Sequence, residues 1–283
     1  MTLEASRRDL SVPLTPRLGF RVSAGEKGRR RDRVMAAMLL LLSALTAAGC
    51  AAKNKKATSA EVLLNERMAA VLLRDGQCSE AEKAFQDVIK SDSKNAELYD
   101  GLGVAQLCQG KVKESLDSLD RAVKISPNRA SFRIHRACAH TEVGHYALAD
   151  EDFKWAEAST IPEDRLEIAI NRGRLRQREG DFVRAEAEFG LALSMEPQSF
   201  PALVGRGVAR EARGEMSRAA EDYLEAVRLQ PKNPEVNLRL GLALLSLKKY
   251  ALGRRYLERT VELDPVGEVG AKARALLDKA PSS

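Results

Sequence analysis

Four cysteines, Cys50, Cys78, Cys108 and Cys138, and three histidines, His135, His140 and His145, have the side chains with the widest capacity for chemistry. Thiols serve as nucleophiles, metal ligands or disulfide partners, and imidazoles as ligands or general bases, so spacing decides which of these is open. The histidines recur at five-residue steps, each turned about 140° from the last around a helix, which keeps them off a common face. His135 and Cys138 form one i, i+3 pair with no evident third ligand, which argues against zinc. His140 reads as a packing residue. The many carboxylates fall at spacings such as Glu211 and Glu215, as on a solvated helix face. No glycine-rich loop follows a strand-like run. The residues therefore point away from an enzyme and toward no metal, no small-molecule substrate and no non-covalent cofactor.

The charge distribution bears on nucleic acid. The 283 residues carry 46 Lys/Arg and 40 Asp/Glu, a net charge of +6. Residues 1–34 hold nine of the bases and four of the acids; the remaining 37 and 36 leave the rest of the chain at +1. The basic footprint of a phosphate-backbone binder is confined to the leader, so no nucleic-acid partner is expected.

Directly after the basic cluster Arg29–Arg33 runs an uncharged stretch of fifteen residues, Met35–Gly49. It is short for a membrane span but suits a signal-peptide core behind a positive segment. It ends in Ala47-Ala48-Gly49-Cys50, which resembles the lipobox of bacterial lipoproteins. That resemblance implies cleavage before Cys50 and a covalent diacylglycerol and N-acyl lipid on Cys50, with anchoring by acyl chains rather than by a spanning helix. Ala51 follows where an Asp would resemble an inner-membrane retention signal, so the outer membrane, periplasmic face, is the expected location. Residues 1–49 are thus read as leader and signal peptide, with 1–28 consistent with translation beginning nearer Arg29 or Val34, and residues 50–61 as lipidated cysteine and flexible tether.

Beyond the tether the chain repeats. Gly76, Gly110, Gly144, Gly180 and Gly214 are spaced 34, 34, 36 and 34 residues apart, and Lys248 continues the step. Seven residues before each marker stands a small residue: Ala69, Gly103, Ala137, Gly173, Gly207 and Gly241. Nine after it stands a large one: Phe85, Leu119, Phe153, Phe189, Tyr223 and Leu257. Pro127, Pro197, Pro231 and Pro265 end four of the units, with Ser93 in the first and a shifted Pro162 in the third. The pattern resembles the tetratricopeptide repeat over residues 62–267. It implies an all-α, right-handed superhelical solenoid of six helical hairpins. Residues 268–283 are expected to supply a capping helix and tail. The two extra residues between the third and fourth units should lengthen that inter-repeat turn.

Within this frame Cys78 begins the second helix of unit one and Cys108 ends the first helix of unit two. Antiparallel stacking favours a Cys78–Cys108 disulfide, in keeping with export. Cys108–Cys138 pairing and three reduced thiols are the alternatives.

First-helix positions line the inner surface of such repeats. Units one to three place Leu63, Ala70, Leu73, Val104, Leu107 and Ile134 there, unit four Arg174, Gln177 and Arg178, and units five and six Val204, Val208, Leu238, Leu242 and Leu245. A groove with apolar ends suits an apolar or amphipathic partner segment. Glu66 and Ala70 stand where the family's carboxylate clamp has Lys and Asn, against recognition of an acidic tail.

A lipobox, a short tether and six repeats with little else resemble the type IV pilus secretin pilotins, the PilF/PilW/Tgl family. The resemblance implies a non-enzymatic assembly factor that promotes outer-membrane insertion and multimerisation of the secretin subunit, with Leu73, Val104, Leu107 and Ile134 as contacts. The competing expectation is an envelope scaffold or adaptor lipoprotein, for a tight-adherence pilus or for cell-wall hydrolases.

Overall fold

A computed structural model of the chain describes residues 59–281; Cys50, the leader and residues 51–58 lie outside the described residues. The described residues form thirteen α-helices, divided between two compact bodies at Pro127/Asn128. The first body holds α1 (Ser59–Arg74), α2 (Cys78–Ser91), α3 (Ala96–Cys108) and α4 (Val112–Ile125). The second holds α5 (Ala130–Glu142), α6 (Tyr146–Ala156), α7 (Pro162–Glu179), α8 (Phe182–Met195), α9 (Phe200–Ala212), α10 (Met216–Leu229), α11 (Pro234–Ser246), α12 (Tyr250–Leu263) and α13 (Glu268–Leu277). Consecutive helices pair as hairpins, two in the first body and four in the second, with α13 packed on the last.

The repeat residues explain the hairpins. A Cβ added at Gly207 would lie 2.5 Å from a ring carbon of Tyr223, and one at Gly173 would lie 2.8 Å from the Phe189 ring, so the small residue lets the large one cross beside it. Phe153, Phe189 and Tyr223 are fully buried. Each such ring contributes roughly 2–3 kcal/mol by leaving water. In the first body Phe85 and Val88 of α2 meet Leu98, Leu102 and Ala105 of α3, which joins its two hairpins. All five marker glycines adopt left-handed φ values of 74–81° between the helices of a hairpin, and Lys248 takes the same turn at φ 59°.

Four expectations are corrected. Helix α1 begins at Ser59, inside the segment read as tether, with Glu61 in its first turn favoured by the helix dipole. The two extra residues do not simply lengthen a turn: α6 has 11 residues where α2, α4, α8, α10 and α12 have 14, and α7 has 18. Pro162 starts α7 rather than ending α6, because a first-turn proline has no amide donor to lose and Glu163 and Asp164 complement the N-terminus. Finally, the histidines are not all directed apart. His145 lies beyond α5, and the left-handed turn at Gly144 carries its ring to 5.7 Å from that of His140.

The last element caps its hairpin. Ala273 of α13 is buried against Leu238 and Leu257. Asp264 accepts hydrogen bonds from the backbone N–H groups of Gly267 and Gly270 at 3.0 and 2.9 Å, and Arg254 donates to the carbonyls of Leu277 and Ala280, both at 3.0 Å. An acid at the start and a cation at the end both suit the dipole of α13. Among the described residues no helix is long and apolar enough to cross a membrane.

Candidate partner-binding surface

The inner positions of the first helices differ from the apolar groove expected. Val104, Leu107 and Ile134 retain 1%, 4% and 0% of their exposure and cannot serve as contacts. Ile134 packs with Ala137, Phe153, Ile168 and Leu175 inside the second body. A spacing rule marks a direction on a helix; it does not separate a side chain seated between helices from one beyond them. Leu73 is half-buried and Leu63 exposed, so those two remain accessible on α1.

They share that face with acid. Burial, reinforced by the neighbouring Glu97 and Asp92 carboxylates, raises the pKa of Glu66 above the ordinary carboxylate value. In the second body Val204 and Leu238 are buried, while Val208, Leu242 and Leu245 are half-buried. Gln177 donates to the Gly205 carbonyl at 2.9 Å, tying α7 to α9, and Arg174 donates to Asn171 at 2.9 Å. Burial lowers the Arg174 pKa, and burial with Glu167 nearby pushes the Cys138 thiol up, which keeps that free cysteine protonated and unreactive. Tyr223 donates to Glu211 at 2.5 Å; burial and that carboxylate raise the phenol well above its usual value.

Cys78 and Cys108 are disulfide-bonded with Cα atoms 6.1 Å apart. Beside them Glu82 accepts hydrogen bonds from Lys111 at 2.6 Å and Gln109 at 2.8 Å, and Gln109 also donates to the Cys78 carbonyl at 3.1 Å. The Lys111 hydrogen bond is the main cause of a lowered Glu82 pKa. The disulfide and this polar knot together fix the α2–α3 edge of the first body.

A feature missed in the sequence holds the second body's hairpins. Arg136–Asp152, Arg172–Glu188 and Arg206–Asp222, each sixteen residues apart, join first helix to second in three consecutive units, at 2.7, 2.9 and 2.7 Å. The first, second and sixth units carry Met68 with Ala84, Leu102 with Ser118 and Leu240 with Tyr256 at those places. Arg210 also binds Asp222, at 2.7 Å, and reaches Glu186, which Arg213 and Arg218 contact as well. Burial opposes ionisation of Glu186, yet these cations hold its pKa below the ordinary value. The signal in the sequence is an Arg followed sixteen residues later by an acid in three consecutive units, apart from the glycine, small-residue and aromatic positions that define the repeat.

The model of the tetratricopeptide repeat matches residues 66–130, 170–234 and 217–268, more than half of the chain. The chain belongs to the tetratricopeptide-repeat family. The hairpin with the short α6 falls between the matched segments. Among curated relatives, the human Protein O-mannosyl-transferase TMTC3 is 23% identical over 196 residues, covering 64% of this tetratricopeptide-repeat chain and 21% of the relative. The chain thus spans about a fifth of that protein's length. Among solved structures, PilW, described as a widely conserved type IV pilus biogenesis factor, superposes with a TM-score of 0.67 at 18% identity, covering 77% of this chain and 100% of that one. Pseudomonas aeruginosa PilF gives 0.61 at 14% identity, covering 76% and 97%. At these identities the likeness shows the fold alone, and structures from other assemblies superpose equally well. The repeats are a protein–protein interaction scaffold of a kind that is typically non-catalytic.

Proposed function

We propose that this chain is a lipid-anchored, non-enzymatic assembly factor that promotes insertion and multimerisation of a type IV pilus secretin. The supporting observation is the coincidence of a lipobox ending at Cys50 with a repeat array of matching extent to PilW, all of which this chain's fold covers. The acyl chains on Cys50 would hold the repeats at the periplasmic face of the outer membrane. The repeats would shield apolar surface of secretin subunits until the ring closes. Leu63 and Leu73, the accessible apolar positions of the first body's inner face, are the proposed contacts. An envelope scaffold of another machine is the alternative role.

Deletion of the gene followed by immunoblotting for heat- and detergent-resistant secretin multimers tests this. Loss of multimers with monomer retained, reproduced by Cys50→Ala, is expected. Normal multimers in the deletion strain would overturn the secretin assignment in favour of the envelope scaffold.

A further inference from the structure

The inter-hairpin interface of the first body has a bare counterpart one repeat earlier. Leu98, Leu102 and Ala105 of α3 are buried against the preceding hairpin, α1–α2. The residues 34 positions before them are Leu64, Met68 and Val71 of α1, which are 53%, 42% and 42% exposed. Among the described residues no helix covers this face. Beside it an open cavity of about 270 Å³ is lined by Val62, Met68 and Leu72 of α1 and Ala84 and Val88 of α2, together with the polar Asn65, Asp87 and Ser91. The opposite end of the chain is treated differently, since α13 covers the last hairpin.

We propose that this end face of α1–α2 docks on the lipid bilayer that holds the Cys50 anchor. Only residues 51–58 separate Cys50 from α1, a reach of at most about 30 Å, so the face stays close to the surface. Lys53, Lys55 and Lys56 lie in that stretch with no acid among its residues, and complement anionic headgroups. Leu64, Met68 and Val71 are spaced as one exposed helix stripe. Docking would fix the orientation of the first hairpins relative to the membrane.

The inference rests on the Cys50 anchor of the proposed function. The lipidated protein, carrying Trp155→Phe to remove the single native tryptophan, is reconstituted into phosphatidylethanolamine–phosphatidylglycerol vesicles with brominated acyl chains. Leu64→Trp is expected to lose more than about half its emission, as a side chain seated at the acyl boundary would. Lys113→Trp, exposed on α4, serves as the control and is expected to keep its emission. Adding Met68→Glu to Leu64→Trp should restore emission; both sites are exposed, and thermal melting checks that the fold persists. Equal emission at positions 64 and 113, or quenching untouched by Met68→Glu, would overturn the docked face while leaving the anchor intact. Failure to partition with vesicles at all would overturn both. A dimer mass in detergent, with position 64 protected there, would replace the bilayer by a second copy.

Discussion

Arg136 holds Asp152 through two hydrogen bonds of 2.7 Å, from Nε to Oδ2 and from Nη2 to Oδ1, with the carboxylate almost fully buried between α5 and α6. Arg133 adds a third contact at 3.2 Å while its guanidinium lies 4.2 Å from the Trp155 ring centroid. A buried pair of this kind orients helices more than it stabilises them, because both charges lose their hydration.

Asp152→Ala should therefore destabilise the second body by about 3 kcal/mol, since it leaves arginine charge uncompensated. The double variant Arg136→Leu/Asp152→Ser, which installs the Leu102 and Ser118 combination of the second unit, should recover most of that loss. Urea titration followed by circular dichroism gives both values. A double variant no better than Asp152→Ala would show that the pair is indispensable for stability.

The Cys78–Cys108 bond closes a loop with a sequence separation of 30. In the chain-entropy account, removing such a link costs about 3–4 kcal/mol. Cys108→Ser should then lower the stability of the first body by that amount and leave the second body's transition in place. Hydrogen exchange resolved by peptide separates the two: faster exchange confined to residues of α1–α4 is expected, and uniform acceleration across both bodies would contradict it.

The parts of this fold that were legible in the sequence are those fixed by backbone chemistry. Gly110 and Gly214 announce left-handed turns because other residues avoid them, and Gly207 with Tyr223 announces a close crossing because only hydrogen fits. Placement of Cys78 and Cys108 at facing helix ends followed from the same frame. What escaped reading depends on three-dimensional competition. Val104 sits at a position that is exposed at Ala70 and half-buried at Arg174, Val208 and Leu242, and only its packed neighbours enclose it, whereas Ile134 shares its burial with Val204 and Leu238 at the same place in later units. Pro162 is a stop signal after one helix and a start signal for the next, and the acids at 163 and 164 tipped it toward the start. Glu66 in the sequence argues against an acidic ligand, but its proximity to Glu97 exists only once two helices are in place.

Lys248 adopts φ 59° at a turn where the five equivalent residues are glycine. The left-handed conformation costs an L-residue about 1–2 kcal/mol relative to glycine. Glycine offsets part of the gain through its greater freedom in the unfolded chain. Lys248→Gly should stabilise the last hairpin by about 0.5–1 kcal/mol, visible as a raised denaturant midpoint at unchanged slope. Lys248→Val should act in the opposite direction, because a β-branched side chain crowds the same turn.

Two glutamates of the first body should give opposite pH signatures. Glu82 has a lowered pKa, chiefly through the Lys111 hydrogen bond, so its contribution is present above the unfolded-state value of about 4.5 and is lost as pH falls through the lower folded value. Glu66 has a raised pKa from burial, Glu97 and Asp92, so its ionised form weakens the fold above the folded value, and protonation relieves this as pH falls toward about 4.5. Glu66→Gln should raise the melting temperature at pH 7, with the advantage shrinking as pH falls toward about 4.5 and absent below it. Glu82→Gln should lower it at pH 7, with the deficit shrinking in acid. Melting curves from pH 7 to pH 3 would separate them, and parallel profiles for the two variants would show that neither carboxylate is coupled to folding through its neighbours.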